Sequence, residues 1–318
     1  MKDVAIGIDI GGTFTKYGIV DEDGKCYFEG SVSTTSVSTA EEFVNEMAGV
    51  IKTEMLAFKD LQIKGIGIGA PNGNYYSGTI EYAPNLKWKG IIPLVELFKK
   101  HFPVTVVLTN DANAAAIGEM VYGGAKNMND FVVVTLGTGL GSGIVANGQL
   151  IYGHDGFAGE LGHTTVFYNG RTCGCGRKGC LETYASASGI RRTVFQLLAD
   201  STENSTFRDV TFNELTSEMI AHAAQEGDKI AVEAFEYTGM LLGRKLAETV
   251  AHNSPEAIFL FGGLAKSGDL ILKPTIASLE ANLLPIFQNK VKVLLSGMAA
   301  VNAAVMGAGA LAWKELNK

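Results

Sequence analysis

Three cysteines and a histidine carry the sharpest chemical signal in this chain of 318 residues. Cys173-Gly174-Cys175-Gly176-Arg177-Lys178-Gly179-Cys180 spaces its thiols as C-x-C-x4-C, and His163 lies ten residues upstream. Three sulfurs and one imidazole suit tetrahedral Zn²⁺. With all four positions taken by protein the ion would be structural and would not activate water. The glycines let such a loop fold tightly, and Arg177 and Lys178 offset thiolate charge. Three of four cysteines within eight residues is poor arithmetic for a disulfide framework. In the same stretch Gly159-Glu160-Leu161-Gly162-His163 sets a carboxylate and an imidazole three apart, and Glu182 follows Cys180 by two. Carboxylates and imidazole suit sugar hydroxyls, and a zinc-bound His163 keeps one ring nitrogen for that use.

Two glycine-threonine turns offer a different chemistry. Asp9-Ile10-Gly11-Gly12-Thr13-Phe14-Thr15-Lys16 places glycines, hydroxyls and a cation around one bend, and Gly137-Thr138-Gly139-Leu140-Gly141 repeats the pattern 126 residues on. Backbone N–H groups bared by such turns form an anion-binding concavity, to which a lysine adds a point charge. Asp9 could hold Mg²⁺ through water. The alternative is a plain hairpin that uses glycine for positive φ. A third turn, Phe261-Gly262-Gly263-Leu264, suits either close approach of backbone to a flat ligand such as adenine or a tight strand-to-helix bend. Asn110-Asp111 ends an apolar run and precedes an alanine-rich one. A carboxylate there could take the proton of an attacking hydroxyl, as phosphoryl transfer requires, or the pair could simply cap a helix. Gly18 to Lys25 has one residue too many for a Walker loop. Gly137-x-Gly139-x-Gly141 has the wrong third spacing for a dinucleotide fingerprint and runs into a strand.

The elements that must hold these residues alternate between strand and helix. Val4 to Ile10, Phe14 to Val20 and Cys26 to Val32 read as a three-strand meander, and apolar spacing predicts a helix from Ala40 to Phe58. Ile63 to Ile68 and Val104 to Leu108 are strands, with a helix over Ala112 to Met120. The meander then recurs in Phe131 to Leu136, Gly141 to Ala146 and Gln149 to Tyr152. Helices are expected near 186–199, 212–225, 229–252, 274–287 and 303–316, with strands Ala257 to Phe261 and Val291 to Leu295 between them. Thr211 and Glu214 match a capping box, and Asp228 a helix cap. The repeat predicts two related α/β domains. One spans 1–118 and takes back the terminal helix 303–318; the other, 119–302, carries the zinc loop.

Composition narrows the classes. There are 39 glycines without a G-X-Y period and only seven prolines, which excludes collagen and low-complexity disorder. Lys plus Arg number 26 against 33 Asp plus Glu, a net charge of −7, which argues against nucleic acid as a partner. No apolar run reaches the length of a membrane span, and the N-terminus has no signal-peptide h-region. The reading is a soluble cytoplasmic protein.

Ile8-Asp9-Ile10-Gly11-Gly12-Thr13, Asn110-Asp111-Ala112-Asn113-Ala114, Thr135 to Gly143 and Gly159 to Glu182 together resemble the ROK family of sugar kinases, in particular its bacterial glucokinases. The resemblance covers essentially the whole chain. It implies a two-domain actin-like (ribonuclease H-like, hexokinase-like) fold with a ligand cleft between domains. It also implies ATP-dependent, Mg²⁺-assisted phosphorylation of the 6-hydroxyl of glucose, at the entry to glycolysis, by a homodimer or homotetramer. Under it Asp111 is the catalytic base, and Asn110, Glu160, His163, Glu182 and Asn85 (in Ala83-Pro84-Asn85-Leu86) meet the sugar. Asp9, Gly11, Gly12, Thr13, Lys16, Gly137, Thr138 and Gly139 hold the ATP phosphates, Gly262 and Gly263 lie near the adenosine, and His163, Cys173, Cys175 and Cys180 ligate zinc.

Two departures stand out. Phe14 occupies a position where relatives often carry Asn or Lys, and Pro71-Asn72-Gly73 replaces a frequent Pro-Gly. The rival readings are a kinase for N-acetylmannosamine, N-acetylglucosamine or fructose, and a sugar-responsive repressor of the same family. Repressors carry an N-terminal helix-turn-helix, whereas eight residues precede Asp9 in this sequence.

Overall fold

A computed structural model describes residues 1–298 and 303–318. The expected domain edge at 302 lies outside the described residues. The chain divides into two compact units, Met1–Met128 with Leu150–Gly159 and Gly297–Lys318, and Asn129–Gln149 with Glu160–Ser296. Residues 119–128, 150–159 and 297–298, which the sequence reading assigns to the second domain, group with the first. For 119–121 the reason is the helix over Asp111–Val121, which an edge at 118 would cut before its last turn.

In the first unit, strands β1 (Lys2–Ile10), β2 (Phe14–Val20) and β3 (Cys26–Ser33) form the antiparallel meander. Helix α1 (Ala40–Met55) leads to β4 (Leu61–Gly69), which pairs parallel to β1. A small sheet of β5 (Gly73–Asn74), β6 (Thr79–Glu81) and β7 (Ile91–Ile92) follows, with the short helix α2 (Leu94–Lys99). Strand β8 (Thr105–Thr109) pairs parallel to β4 and runs into helix α3 (Asp111–Val121). The main sheet is ordered β3-β2-β1-β4-β8. Helix α1 turns Phe43, Val44, Met47, Ala48 and Ile51 inward, one apolar stripe at helical spacing, and a Thr39–Glu42 capping box starts it.

The other face of this sheet meets the C-terminal helix, Ala303–Leu316. Gly7 of β1 and Gly67 of β4 are register partners. A Cβ on Gly7 would overlap the Val305 carbonyl oxygen, and one on Gly67 the Ala308 carbonyl oxygen. The helix backbone therefore lies directly on the sheet, at a distance that only glycine permits.

In the second unit, β9 (Phe131–Leu136), β10 (Leu140–Ala146) and β11 (Gln149–Leu150) are followed by helices α4 (Ala187–Asp200), α5 (Ser217–Gln225) and α6 (Lys229–Asn253). Strand β12 (Ala257–Phe261), helix α7 (Asp269–Asn282) and strand β13 (Lys292–Leu295) complete it. The order is β11-β10-β9-β12-β13, with β9 and β10 antiparallel and β12 parallel to both β9 and β13. Both sheets thus run third, second, first strand of a meander and then two strands in parallel. The repeat announced by the glycine turns is a repeat of topology. None of the described helices is long and apolar enough to cross a membrane.

Local differences from the expected elements have local causes. Glu214 does accept from the Thr211 N–H and hydroxyl, but the result is a turn. Helix α5 starts only at Ser217, where Thr216 caps the Met219 N–H. Pro274 does not open α7; the helix begins five residues earlier at Asp269 and keeps the proline inside, packed against Gly239 of α6. The elements β5 to β7 and α2 are too short for periodicity to reveal.

Gly67→Ala should destabilise the chain by about 1–3 kcal/mol through forced displacement of the C-terminal helix. Gly49→Ala, in α1 with open space around the new methyl group, should stabilise it by about 0.5–1 kcal/mol. Urea midpoints that shift in the same direction for both variants would contradict this packing.

Candidate active site

Three strand ends of the first unit bring its polar residues together. Asp9 on β1 pairs with Lys16 across the β1–β2 hairpin and with Gly69 across to β4; Gly69 in turn pairs with Thr109 on β8. Asn110 then caps α3, its side chain accepting the Ala112 N–H at 2.8 Å. Capping therefore falls to Asn110 and leaves Asp111, the first helical residue, as a carboxylate at the strand end. Asp111 Oδ1 also accepts the Ala112 N–H at 2.9 Å. A Cβ on Gly69 would stand 3.6 Å from Asp111 Cα and 3.9 Å from Asp9 Oδ1. Both aspartates thus adjoin a residue with no side chain, whose Cβ would come closest to Ala114 Cβ, at 3.2 Å.

Their electrostatics follow from that crowding. Burial, and next the negative charge of Asp111, push the Asp9 carboxyl up to about 6, against the pull of Lys16. The protein around Asp111 likewise raises its carboxyl, although part of the residue stays open to solvent and the backbone N–H groups of Ala112 and Asp111 oppose the shift. A cation placed between two such carboxyls would relieve both.

The first glycine turn rests on the loop that bears Asn85. A Cβ on Gly11 would stand 2.7 Å from the Phe14 carbonyl oxygen, and one on Gly12 would stand 2.7 Å from the Asn85 carbonyl oxygen. Neither glycine has positive φ, so the hairpin explanation that rested on left-handed backbone does not apply; close approach is the reason for glycine here. Thr13 is exposed, and so is Phe14, at 60%. Asn72 does take the left-handed conformation, at φ 51°, with its side-chain amide donating to the Glu81 carbonyl. Asparagine tolerates that region, so it can stand where relatives carry glycine.

In the second unit the β9–β10 turn is closed by the Gly137 N–H on the Gly139 carbonyl. The start of α4 braces it. Ala187 N–H donates to the Gly137 carbonyl at 2.9 Å and Ser188 Oγ to the Thr138 carbonyl at 2.6 Å, while Ser186 caps the helix on the Gly189 N–H. Gly137 and Gly139 also lack positive φ. Gly137 opens on free space, whereas a Cβ on Gly139 would come within 2.6 Å of Glu182 Oε2. Gly262 lies beside this turn, at φ 103°, and a Cβ there would meet the Leu136 backbone; the Cβ direction of Gly263 is open. Gly262 is therefore a strained bend that only glycine makes cheaply, and Gly263 leaves room for a ligand.

The cysteine loop assembles as its spacing predicts. Ligand atoms of His163, Cys173, Cys175 and Cys180 all lie within 4.8 Å of one another. Cys173 Sγ is 3.7 Å from His163 Nδ1, and Cys175 Sγ is 3.7 Å from Cys180 Sγ. A tetrahedron with Zn–S bonds of about 2.3 Å has edges of about 3.8 Å, so donor set and spacing both fit zinc. Positive φ at Gly176 and Gly179 and the Cys173 N–H on the Arg177 carbonyl close the loop. Arg177 also donates to the His163 carbonyl. With Nδ1 turned to the sulfurs, His163 Nε2 points elsewhere, 3.8 Å from Glu160 Oε2. Glu182 Oε1 lies 2.9 Å from Cys173 Sγ. Its carboxylate therefore links the cysteine cluster to the Gly139 turn.

Each half of the expected site is thus gathered within its own unit. Asp9, Gly11, Gly12, Thr13, Lys16, Asn85, Asn110 and Asp111 belong to the first unit. Gly137, Thr138, Gly139, Glu160, His163, Glu182, Gly262, Gly263 and the cysteines belong to the second. Sequence reasoning did not find Gly69, Ser186 and Ser188. Ser186 was legible as a serine at a helix start; Gly69 had no signal beyond one more glycine in a strand.

The chain matches the ROK family over residues 5–315 and belongs to it. It is 34% identical over 314 residues to a glucokinase of Streptomyces coelicolor, covering 97% of each chain. It is 31% identical over 277 residues to a xylose repressor of Caldicellulosiruptor bescii, covering 86% of this chain and 69% of that one. Among solved structures, a ROK family glucokinase from Streptomyces griseus, in complex with glucose and AMPPNP, superposes with a TM-score of 0.84 at 32% identity, covering 98% of this chain and 99% of that one. The fold is the two-domain hexokinase-like α/β fold of that family.

Proposed function

We propose that this chain is an ATP-dependent hexose kinase that transfers the γ-phosphoryl group to the 6-hydroxyl of glucose. The observation that carries the reading is the arrangement at Asn110-Asp111. The asparagine satisfies the helix end, and the neighbouring carboxylate is held at a strand terminus with its proton affinity raised. A base moved toward neutrality takes a hydroxyl proton more readily in the transition state. Asp111 is assigned that step, and Asn85, Asn110, Glu160, His163 and Glu182 the sugar hydroxyls. In this reading water is kept from the bound sugar and phosphates, which suppresses hydrolysis of ATP.

The remaining parts follow the same logic. The N–H groups of the two glycine turns, with Thr13, Thr138 and Lys16, hold the phosphates, and Gly262 and Gly263 leave space for the adenosine. Asp9, destabilised as an anion by burial and by Asp111, is suited to hold Mg²⁺, which when bound neutralises charge on the phosphates. His163, Cys173, Cys175 and Cys180 hold a structural zinc that fixes the loop bearing His163 and precedes Glu182. The glucokinase relatives, similar over nearly their whole length, support glucose as the sugar. A regulator would have no use for the Asp111 base, and turnover separates the two readings.

Asp111→Ala should lower kcat by about 10²–10⁴-fold while calorimetry still detects sugar binding; turnover near that of the parent chain would remove Asp111 from its role. Protein purified without chelator should contain about one zinc per chain, as a closed four-ligand site requires, and Cys180→Ser should lose both the metal and part of its thermal stability. Metal-free protein with an undiminished unfolding midpoint would rule out the structural zinc.

A further inference from the structure

Arg171 lies two residues before the first cysteine of the loop, and its guanidinium bonds to residues beyond the last one. Nη1 donates to the Thr183 carbonyl at 2.9 Å, to the Gly189 carbonyl at 3.1 Å and to Thr193 Oγ1 at 3.1 Å. Nη2 donates to Thr193 Oγ1 at 3.1 Å and to Gln196 Oε1 at 3.0 Å. The guanidinium carbon stands 4.5 Å from the centre of the Tyr184 ring, and the Arg171 backbone N–H donates to the Tyr184 hydroxyl at 2.9 Å. All these acceptors are neutral. A planar fork with five donors can meet these four acceptors at once, one more than a lysine has donors for.

The two elements it joins adjoin groups that the proposed function assigns to ligands. Thr183 follows Glu182, and Gly189 follows Ser188, which holds the Thr138 carbonyl. Between them Ser186 donates to the Glu182 carbonyl at 2.6 Å. We propose that Arg171 is a positioning residue that sets the carboxylate of Glu182 and the first turn of α4 in one fixed relation, so that sugar and phosphate sites of this unit are adjusted together. The inference rests on the kinase reading above. It assigns Arg171 no contact with either substrate; it acts through Glu182 on one side and through Ser188 and the Gly137–Gly139 turn on the other.

The test is steady-state kinetics on Arg171→Lys, Ser188→Ala and the double variant, with zinc content measured alongside. Arg171→Lys should keep its zinc and most of its kcat, while KM rises about tenfold for both sugar and ATP, the size of effect seen when support behind a binding group is lost. The double variant should show a KM for ATP no higher than that of the worse single variant, because both changes release the same turn. Thr193→Val removes one acceptor of the guanidinium and leaves Arg171 in place. It should raise both KM values in the same direction by less, and it keeps the test open if Arg171→Lys folds poorly. Unchanged KM values with lost zinc or a lowered unfolding midpoint would make Arg171 a staple of the loop only, and fully additive effects would separate it from α4. A parent chain without hexose-dependent turnover would instead overturn the kinase reading itself.

Discussion

A carboxylate can sit at the end of a sheet only if its neighbours leave it room, and in this chain that room is made by side chains that are missing. Gly69 adjoins both Asp9 and Asp111, and Gly139 lies against Glu182. Any Cβ at Gly139 would displace the Glu182 carboxylate, and one at Gly69 would press on Ala114 Cβ at 3.2 Å while standing in ordinary contact with Asp111 and Asp9. The same device recurs in the body of the first unit, where Gly7 and Gly67 let the C-terminal helix lie on β1 and β4 backbone to backbone. Glycine is used in these places for proximity and not for left-handed φ. Proximity explains why so many glycines fall inside regular strands, where conformational entropy argues against them.

From that constraint the rest of the site follows in two different ways. The first unit relies on unfavourable electrostatics. Burial raises the proton affinity of both Asp9 and Asp111, and the charge of Asp111 raises that of Asp9 further, an arrangement suited to a cation. The second unit relies on connection. Glu182 touches the cysteine cluster with one oxygen and faces Gly139 with the other, and the first residues of α4 hold the Gly137–Gly139 turn from behind. A metal that orders the loop would thereby fix the Glu182 carboxylate and the Gly137–Gly139 turn together.

How much of this could be read from the sequence depended on whether the signal was local. The cysteine spacing, the two glycine-threonine turns and Asn110-Asp111 were each visible because neighbouring residues carry the chemistry. The meander repeat showed because strand, turn and strand recur in order. Signals that depend on tertiary packing were not legible. Nothing in the strand from Leu61 to Gly69 marks its last residue as the neighbour of two aspartates, and nothing near Arg171 points to carbonyls on α4. The conformation of Asn72 explains a departure from the family pattern that sequence alone left as an oddity. Thr211 and Glu214 show the opposite failure, a correct local bond that makes a turn where a helix was expected, since Thr216 offers a second cap five residues on.

The account as a whole stands or falls on where the phosphoryl group goes. Phosphorus NMR on the purified chain, with ATP, Mg²⁺ and glucose, would follow the γ-phosphorus directly. The account predicts that its signal is replaced by that of a phosphomonoester at the sugar 6-position, in step with ADP formation and with little free phosphate. Formation of free phosphate alone, or an unchanged ATP spectrum in the presence of glucose and of the N-acetylated hexoses alike, would contradict it.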